Sequence, residues 1–300
     1  GDVMRFGAVF PTTEIGDDPI AVRDYAQAAE ALGCVRLTTY DHVLGVDHAD
    51  RDPALRGPYT QHDPFHEPLV LFGFLAAHTT RIELATGVLI LPQRQAALVA
   101  KQAAEVDLLS GGRLVLGVGT GWNHVEYAAL GVPFADRARR FDDQVTVLRA
   151  LWDDELVDHA SAFHRIERAG LVPRPGRQIP LWMGGSADAA LARAARIGDG
   201  HIFAGSTDRH FEGAARLLDL LAEQGRDRST FGMDMFVDFA DGPDVWHDRA
   251  QRWEELGGSL LSMRSMTTGT SFLGVAAADL AGPAEHIAAL ERFAKEMGLG

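Results

Sequence analysis

The chain has 300 residues, of which 46% are hydrophobic, and its 42 acidic against 28 basic residues give a net charge of -14. This acidic balance argues against nucleic acid or an anionic membrane surface as a partner. Cys34 is the single cysteine, which excludes an internal disulfide and favours a reducing compartment, and no apolar run approaches the length of a membrane span. We therefore expect a cytoplasmic protein that acts on a small-molecule substrate.

Strand and helix patterns alternate along the chain, beginning with a strand that ends at Pro11. Asp18 followed by Pro19 predicts a helix start, because a side-chain oxygen caps free amides and proline favours the first helical position. Short apolar runs typical of buried parallel strands then alternate with segments of helical periodicity. In chain order, we predict strands over 5–10, 34–40, 82–91, 114–118, 179–183, 199–203, 231–239 and 259–263, and helices over 18–33, 67–78, 95–109, 123–130, 136–152, 187–196, 208–224, 244–256 and 283–296.

The apolar run over 82–91 is rich in Leu, Val and Ile without polar alternation, which predicts a strand buried on both faces. The helix over 95–109 carries Leu98, Val106 and Leu109 at helical spacing, and we expect these three side chains to face the core.

Eight strands alternating with helices in about 250–300 residues predict an α/β fold, the TIM (β/α)8 barrel. We expect a single barrel domain over residues 1–300, with an insertion over 153–178 that forms a hairpin and a long loop over 43–66 at the C-terminal face. The functional site should then lie on the loops that follow the strands. A doubly wound open sheet is the alternative that periodicity leaves open.

A glycine-rich loop, Gly117-Val118-Gly119-Thr120-Gly121-Trp122, follows the strand over 114–118. Its place at the carboxyl end of a strand suits a ligand site. The glycines could equally form a tight turn. A Rossmann dinucleotide fingerprint is disfavoured, because that pattern needs glycine where Trp122 stands.

Asp41 and His42 end the second strand on the predicted catalytic face. A histidine there could move a proton near neutral pH. The alternative is a capping aspartate beside a histidine that is hydrogen-bonded within the loop.

The long polar loop invites a metal hypothesis through its neighbouring acids and imidazoles, which are His48, His62, Asp63, His66 and Glu67. No spacing typical of metal ligands supports it. We therefore expect a solvated loop and no metal.

Gly184-Gly185-Ser186 opens a helix directly after a strand. Backbone amides at a helix N-terminus attract phosphate, and glycine lets an anion approach closely. Asp188 in the first turn weakens this hypothesis, and a simple serine N-cap is the alternative.

Taken together, several stretches resemble the luciferase-like monooxygenase superfamily, and within it the actinobacterial branch of F420-dependent oxidoreductases. They cover most of the chain, and together they are specific although each alone is weak. The stretches that carry the resemblance are Met4-Arg5-Phe6-Gly7, Tyr40-Asp41-His42-Val43, Thr86-Gly87-Val88-Leu89, Leu91-Pro92-Gln93-Arg94, Leu108-Leu109-Ser110-Gly111-Gly112-Arg113, Leu116-Gly117-Val118-Gly119-Thr120-Gly121-Trp122, Trp182-Met183-Gly184-Gly185-Ser186 and Asp199-Gly200.

The resemblance implies a flavin or deazaflavin ring in the barrel mouth, supported by a bulge with a non-prolyl cis peptide at Gly87-Val88, at the end of the third strand. It implies that Asp41 contacts the ring edge and that His42 faces the reacting carbon and the substrate. The cofactor-binding set it implies is Asp41, Thr86, Gly87, Val88, Gly119, Thr120, Gly121, Trp122, Gly184, Gly185 and Ser186.

Coenzyme F420 is the favoured cofactor and FMN the alternative, which would make the protein an FMN-dependent monooxygenase. The arginine-rich composition, with Lys101 and Lys295 as the only lysines, suggests an actinobacterial source, where the deazaflavin is made. Some deazaflavin dehydrogenases carry a catalytic glutamate where this chain has Trp122, which puts a sugar-phosphate dehydrogenase in doubt. Relatives are often homodimers. A metal-dependent barrel hydrolase and a non-catalytic deazaflavin-binding protein remain alternatives of other classes.

Overall fold

Eight parallel strands close into a barrel in the computed structural model, which describes residues 4–299. In chain order the strands are β1 (Arg5–Val9), β2 (Arg36–Thr39), β3 (Glu83–Thr86), β4 (Leu89–Ile90), β5 (Leu114–Gly119), β6 (Val157–Ala160), β7 (Arg165–Ala169), β8 (Leu181–Gly184), β9 (Gly200–Phe203), β10 (Gly232–Asp238) and β11 (Leu260–Arg264). The helices are α1 (Pro19–Ala31), α2 (Pro68–His78), α3 (Ala96–Leu109), α4 (His124–Ala129), α5 (Arg137–Asp153), α6 (Asp188–Ile197), α7 (Asp208–Glu223), α8 (Pro243–Leu256), α9 (Thr270–Leu273) and α10 (Pro283–Met297).

Strand pairing runs in the order β3-β2-β1-β11-β10-β9-β8-β5, and β3 pairs with β5 to complete the circle. Every neighbouring pair is parallel, and helices surround the ring. The closed ring confirms the predicted TIM barrel and excludes the open doubly wound sheet. The insertion over 153–178 contains the antiparallel hairpin of β6 and β7, as predicted.

The predicted strand over 82–91 forms two strands, and its interruption lies at Gly87 and Val88, where a bulge was expected. β3 pairs with β2 and β5, whereas the short β4 pairs with the far end of β5. The interruption places Val88 at the barrel mouth.

The predicted inward face of α3 is also wrong. Leu98 and Leu109 are 51% and 61% exposed, whereas only Val106 of the predicted stripe is buried. The helix instead buries small side chains against the barrel, which are Ala96, Val99, Ala100, Ala103 and Ala104. Alanine lets a helix approach its neighbours closely, so the larger leucines face outward.

A polar layer crosses the barrel interior near the amino ends of its strands. The Ser262 hydroxyl donates to both carboxylate oxygens of Asp234, at 2.9 and 3.0 Å. Arg36 donates to Glu83 at 2.9 Å and lies 4.0 Å from the centre of the Trp182 ring. Burial raises the pKa of Asp234 to about 7, although Arg36 opposes this shift.

Among the described residues, no helix combines the length and apolar character that crossing a bilayer requires.

Candidate active site at the barrel mouth

Two cavities open at the carboxyl ends of the barrel strands, where α/β barrels bind their ligands. The larger, of about 660 Å³, lies among the loops after β3, β5 and β8, and we call it the glycine cavity. The smaller, of about 470 Å³, contains Arg209, His210 and Arg264, and we call it the arginine cavity. The loop after β8 and helix α9 border both cavities, which therefore lie side by side.

Most of the predicted cofactor residues lie together at the glycine cavity. Its lining includes Val88, Gly119, Thr120, Gly121, Trp122, Gly184, Gly185 and Ser186. Thr86 and Gly87 stand behind this lining. The Thr86 hydroxyl donates to the carbonyl oxygen of Gly117 at 2.7 Å within the barrel wall. A side chain on Gly87 would lie 2.5 Å from the methyl group of Thr38. We therefore assign to Thr86 and Gly87 the positioning of Val88.

Val88 projects between two glycines on neighbouring strands. The Gly87-Val88 peptide bond is cis, which confirms the prediction. A Cβ on Gly119 would lie 2.6 Å from one Val88 methyl, and a Cβ on Gly184 would lie 2.7 Å from the other. Only glycine at both positions leaves room for the valine, which forms one wall of the glycine cavity.

The loop after β8 has the geometry of an anion site. Gly185 has a φ of 106°, a conformation that favours glycine, and α6 begins three residues later. The Arg209 guanidinium donates to the Ser186 hydroxyl at 3.3 Å, which brings a positive charge to this loop. Ser186 also lies where the two cavities meet. Asp188 in the first turn of α6 is the opposing charge.

His201 holds this loop from inside the barrel. Its Nε2 lies 3.0 Å from the carbonyl oxygen of Gly185. Burial lowers the pKa of His201 to about 4, so the ring is neutral at pH 7. A neutral ring that meets a carbonyl oxygen must carry its proton on Nε2 and donate it. His201 thereby fixes the orientation of the Gly185 peptide group.

Two arginines line the arginine cavity, and Arg209 is the one that pairs with no carboxylate of the described residues. Arg264 donates to both carboxylate oxygens of Asp238, at 2.7 and 3.1 Å, and to the carbonyl oxygen of Ala204 at 3.0 Å. These bonds hold the guanidinium rigidly at the carboxyl end of β11. Burial, together with Arg264 and Arg209, lowers the pKa of His210, so this neighbour is neutral at pH 7.

His42 pairs with a carboxylate that the sequence did not single out. Its Nδ1 lies 3.0 Å from Oε2 of Glu126, and the two side chains are 8% and 0% exposed. Asn123 caps α4 by accepting from the backbone N–H of Glu126, which places Glu126 in the first turn of that helix. The carboxylate accepts the Nδ1 proton, so Nε2 is the ring nitrogen left for another partner.

Three aromatic rings surround the His42 imidazole, and the plane of each ring is steeply inclined to the imidazole plane. The centres of Phe65, Tyr59 and Trp122 lie 5.0, 5.4 and 5.6 Å from that of His42. Trp122 also packs over Gly57, where a Cβ would lie 2.3 Å from the indole. Trp122 thus joins His42, the long loop over 43–66 and the lining of the glycine cavity.

Asp41 is buried and has partners for both carboxylate oxygens. The backbone N–H of Ile90 donates to Oδ2 at 2.9 Å, and Arg94 donates to Oδ1 at 2.8 Å. Arg94 also pairs with Glu67 at 3.0 Å. Asp41 lies outside the lining of both cavities. Its contacts tie β4 to the end of β2, so we interpret Asp41 as a residue that positions the strand interruption around Val88.

Sequence reasoning missed four contributors to this site, which are Arg94, Glu126, His201 and Arg264. Arg94 stood in a stretch that carries the family resemblance, but nothing there indicated its partner. The other three act through contacts between distant parts of the chain.

The polar residues of the long loop use their side chains locally. His48 bonds the carbonyl oxygen of Tyr59, His66 bonds that of Gly16, and Glu67 caps α2. Within residues 4–299, no group of three or more His, Cys, Asp or Glu side chains is arranged to hold a metal ion.

Known proteins resemble this chain over most of its length. A profile of the luciferase-like monooxygenase family matches residues 4–295. An uncharacterized protein of Mycobacterium tuberculosis (strain ATCC 25618 / H37Rv) is 35% identical over 240 residues, which cover 77% of this chain and 80% of that protein. An F420-dependent glucose-6-phosphate dehydrogenase of Microbacterium testaceum (strain StLB037) is 30% identical over 257 residues, which cover 82% of this chain and 70% of that protein.

Among solved structures, monooxygenase RslO1 from Streptomyces bottropensis has the same fold, with a TM-score of 0.75 at 19% identity over 98% of both chains. The family profile matches almost the whole chain, and both relatives are at least 30% identical to it. This chain belongs to the luciferase-like monooxygenase family.

Proposed function

We propose that this protein is an oxidoreductase that binds coenzyme F420 and transfers hydride between it and a small organic substrate. The observation that carries the proposal is the placement of Val88 between Gly119 and Gly184, at a cavity that extends from Trp122, which packs against His42, to Ser186. An oxidoreductase of this type needs a flat wall under a ring, an anion site at one end and a proton carrier near the other.

The residues at the glycine cavity fit such a cofactor. Val88 would support the ring, and Thr120 and Gly121 would border its sugar-alcohol chain. The amides of Gly184 and Gly185, with the hydroxyl of Ser186, would bind the phosphate, because amides at a helix N-terminus and glycine turns favour anions. Arg209 adds a positive charge beside Ser186.

When bound, a deazaflavin supplies a carbon centre that carries hydride and reacts poorly with oxygen. The protein therefore has only to orient the cofactor and the substrate and to move protons. We assign the proton transfer to His42. Glu126 holds the Nδ1 proton, so that Nε2 can take up or release a proton on the substrate. Aromatic rings surround the His42 imidazole, and its side chain is 8% exposed.

The arginine cavity favours F420 over FMN. Ser186 of the proposed phosphate site borders this cavity as well, and the cavity also contains Arg209 and Arg264. The tail of F420 continues past its phosphate with further carboxylates, whereas FMN ends at the phosphate. A basic cavity in a chain of net charge -14 suits the longer anion.

Trp122 indicates which class of substrate the site accepts. An indole stands where some deazaflavin dehydrogenases carry a catalytic glutamate, and it packs against His42. An apolar wall at this point favours an uncharged, largely apolar substrate over a sugar phosphate.

Anaerobic fluorescence titration of the purified protein with F420 and with FMN tests the proposal. We expect tighter binding of F420, and a loss of that preference in Arg209→Gln, because the variant removes the charge beside the tail. Arg216→Gln is the matched control, since Arg216 lies on the same helix and pairs with Glu223 away from the cavity.

Equal or tighter binding of FMN would overturn the choice of F420 and favour an FMN-dependent monooxygenase. Tight F420 binding without turnover on a panel of small alcohols, aldehydes and ketones would favour a non-catalytic deazaflavin-binding protein. Stoichiometric zinc in the purified protein would favour a metal-dependent hydrolase.

A further inference from the structure

A third cavity lies outside the barrel, apart from both cavities at its mouth. It has a volume of about 390 Å³ and sits between the N-terminus of α3, helix α5 and the β6–β7 hairpin, and we call it the α3 cavity. The described residues that line it are Gln93, Arg94, Gln95, Ala96, Ala97, Leu130, Val132, Arg140, Val147, Phe163, His164, Arg165 and Ile166. None of them is acidic.

The N-terminus of α3 opens into this cavity without a cap. The helix has 14 residues, its N-cap residue Gln95 makes no side-chain hydrogen bond, and its first turn contains no acidic residue. Ala96 and Ala97, in that first turn, belong to the lining. The first amides of a helix have no partner within the helix and carry partial positive charge, so they favour an anion.

Gln93 and one nitrogen atom of Arg140 are buried at the cavity without partners among the described residues. Gln93 is only 4% exposed, and neither its Oε1 nor its Nε2 makes a hydrogen bond. Nε of Arg140 is also buried and unbonded. Buried polar groups nearly always have partners, so two such groups beside one uncapped helix indicate a binding site.

Arg140 supplies the net charge of the site. The other basic side chains of the lining are already compensated, because Arg94 pairs with Asp41 and Glu67, Arg165 with Glu167, and His164 with Asp143. Arg140 pairs with no carboxylate of the described residues, and its guanidinium lies 5.0 Å from the centre of the Phe163 ring. The compensated pairs leave Arg140 and the helix N-terminus to attract a negative group.

The remaining walls are apolar and come from Leu130, Val132, Val147, Phe163 and Ile166. A ligand that satisfies both ends must combine one charged group with an apolar body. We propose that the α3 cavity binds an organic anion, with its phosphate or carboxylate group at the first turn of α3 and Arg140 and its body against Phe163. The site shares no lining residue with the glycine or the arginine cavity, and Arg94, which pairs with Asp41, connects its wall to the barrel mouth.

Isothermal titration calorimetry at constant ionic strength tests this proposal, with phenyl phosphate and benzoate as separate probes. The probes distinguish a phosphate ligand from a carboxylate ligand. Ala97→Glu places a carboxylate in the cavity at a position where an acidic residue favours the helix itself. We expect this variant to fold at least as stably as the natural chain and to bind the preferred probe at least about tenfold more weakly.

Arg140→Gln should weaken binding to a similar extent, whereas Ala97→Gln, which has the same size as the glutamate variant without its charge, should retain it. Ser186→Asp separates this site from the proposed phosphate site at the barrel mouth, and it should bind the probe like the natural chain. The proposal is overturned if Ser186→Asp abolishes binding, if binding survives in both Ala97→Glu and Arg140→Gln, or if neither probe binds at about 10 mM.

Discussion

His42 and Glu126 come from positions 84 residues apart in the chain and meet beneath Trp122. We expect His42→Ala to retain cofactor binding and to lose turnover by ~10²–10⁴-fold, the usual contribution of a proton-transferring group. Turnover is measured with the substrate that the panel identifies, and cofactor affinity by titration. His62→Ala is the matched control, because this histidine is exposed on the adjoining long loop and its ring bonds only the Gln61 side chain.

Glu126 acts through His42 and is therefore a positioning residue. Glu126→Gln keeps a side-chain oxygen that can accept the Nδ1 proton of His42, so it should lower turnover less than Glu126→Ala, which removes that oxygen. Full turnover in His42→Ala, or equal losses in Glu126→Gln and Glu126→Ala, would contradict these roles.

Val88 contributes two methyl groups to the wall of the glycine cavity. Removing them in Val88→Ala takes away about 0.8 kcal/mol of apolar burial per group, so we expect about tenfold weaker binding of the cofactor ring. The measurement is the affinity for the ring fragment that lacks the phosphate. The gain in affinity from adding the phosphate should persist, because Ser186 is unchanged. Val43→Ala, an exposed valine on the long loop, is the control. Unchanged fragment affinity in Val88→Ala would remove Val88 from the ring site.

At the scale of elements, the loop over 265–282 carries α9 across both cavities and is anchored at its start by Glu14. The carboxylate of Glu14 accepts from the backbone N–H groups of Thr267 and Thr268 and from the Thr268 hydroxyl, at 2.7 to 2.9 Å. Burial opposes ionisation, but the bonds to His286 and Thr268 lower the pKa of Glu14 to about 2.

We expect Glu14→Gln to loosen this loop, because an amide cannot accept all of these bonds. Hydrogen exchange of the segment over 265–282 should become several-fold faster at neutral pH, with Asp17→Asn, an exposed neighbour, as the control. A depressed pKa stabilises the folded state above the ordinary pKa and loses this effect as the pH falls toward 2. The difference between Glu14→Gln and the natural chain should therefore shrink below about pH 4.5. Unchanged exchange would show that the loop does not depend on this anchor.

The alternation of elements could be predicted from sequence because each element carries its own periodicity and stop signals, as Asp18 and Pro19 do for α1. The inward face of α3 could not, because hydrophobicity alone ranks Leu98 above the alanines that pack. The break in the third strand could be predicted from Gly87, because glycine inside a strand often marks a bulge.

The site was predictable where a motif is local, as in Gly119 to Trp122 and Gly184 to Ser186. It was not predictable where two distant segments supply one contact. In the sequence, Glu126 is an ordinary acidic residue of a short helix. Its contact with His42 becomes evident only when the fold places α4 beside the end of β2. Arg264 likewise gains its meaning from Asp238 on the neighbouring strand.

At the scale of the whole molecule, Asp234 links stability to pH. Its pKa is raised by burial to about 7 in the folded chain, so protonation favours folding. The stabilisation is present below the ordinary pKa of 3.8 and is lost as the pH rises toward 7. Asp234→Asn should remove this loss and be more stable than the natural chain at pH 8, because the amide oxygen still accepts from Ser262.

Urea denaturation at pH 5 and pH 8 measures the effect. Asp219→Asn, on the exposed side of α7, is the control and should follow the natural chain. A pH dependence in Asp234→Asn that parallels that of the natural chain would show that other groups dominate.

The outward leucines of α3 point to self-association. Leu98 and Leu109 lie on α3, and Val70 and Phe74, 70% and 36% exposed, lie on the adjacent α2. Exposed apolar patches often mark interfaces, and we propose a homodimer through this face. Light scattering should report a dimer for the natural chain and a monomer for the double variant Leu98→Asp, Leu109→Asp. Leu156→Asp changes an exposed leucine elsewhere and should remain dimeric. A monomeric natural chain at tens of micromolar would contradict the proposal.

The contact of Val88 with Gly119 and Gly184 also restricts the order in which substitutions at these three positions can accumulate during evolution. Adding a methyl group to either glycine first brings two carbons within 2.6 or 2.7 Å, so those steps are closed while valine is present. Shortening Val88 to alanine first leaves its Cβ 3.4 and 3.9 Å from the two new methyl groups, which is a permitted packing distance. Descendants that widen or refill the mouth therefore have to change residue 88 before residues 119 and 184, and a laboratory library that randomises only the glycines will recover few folded variants.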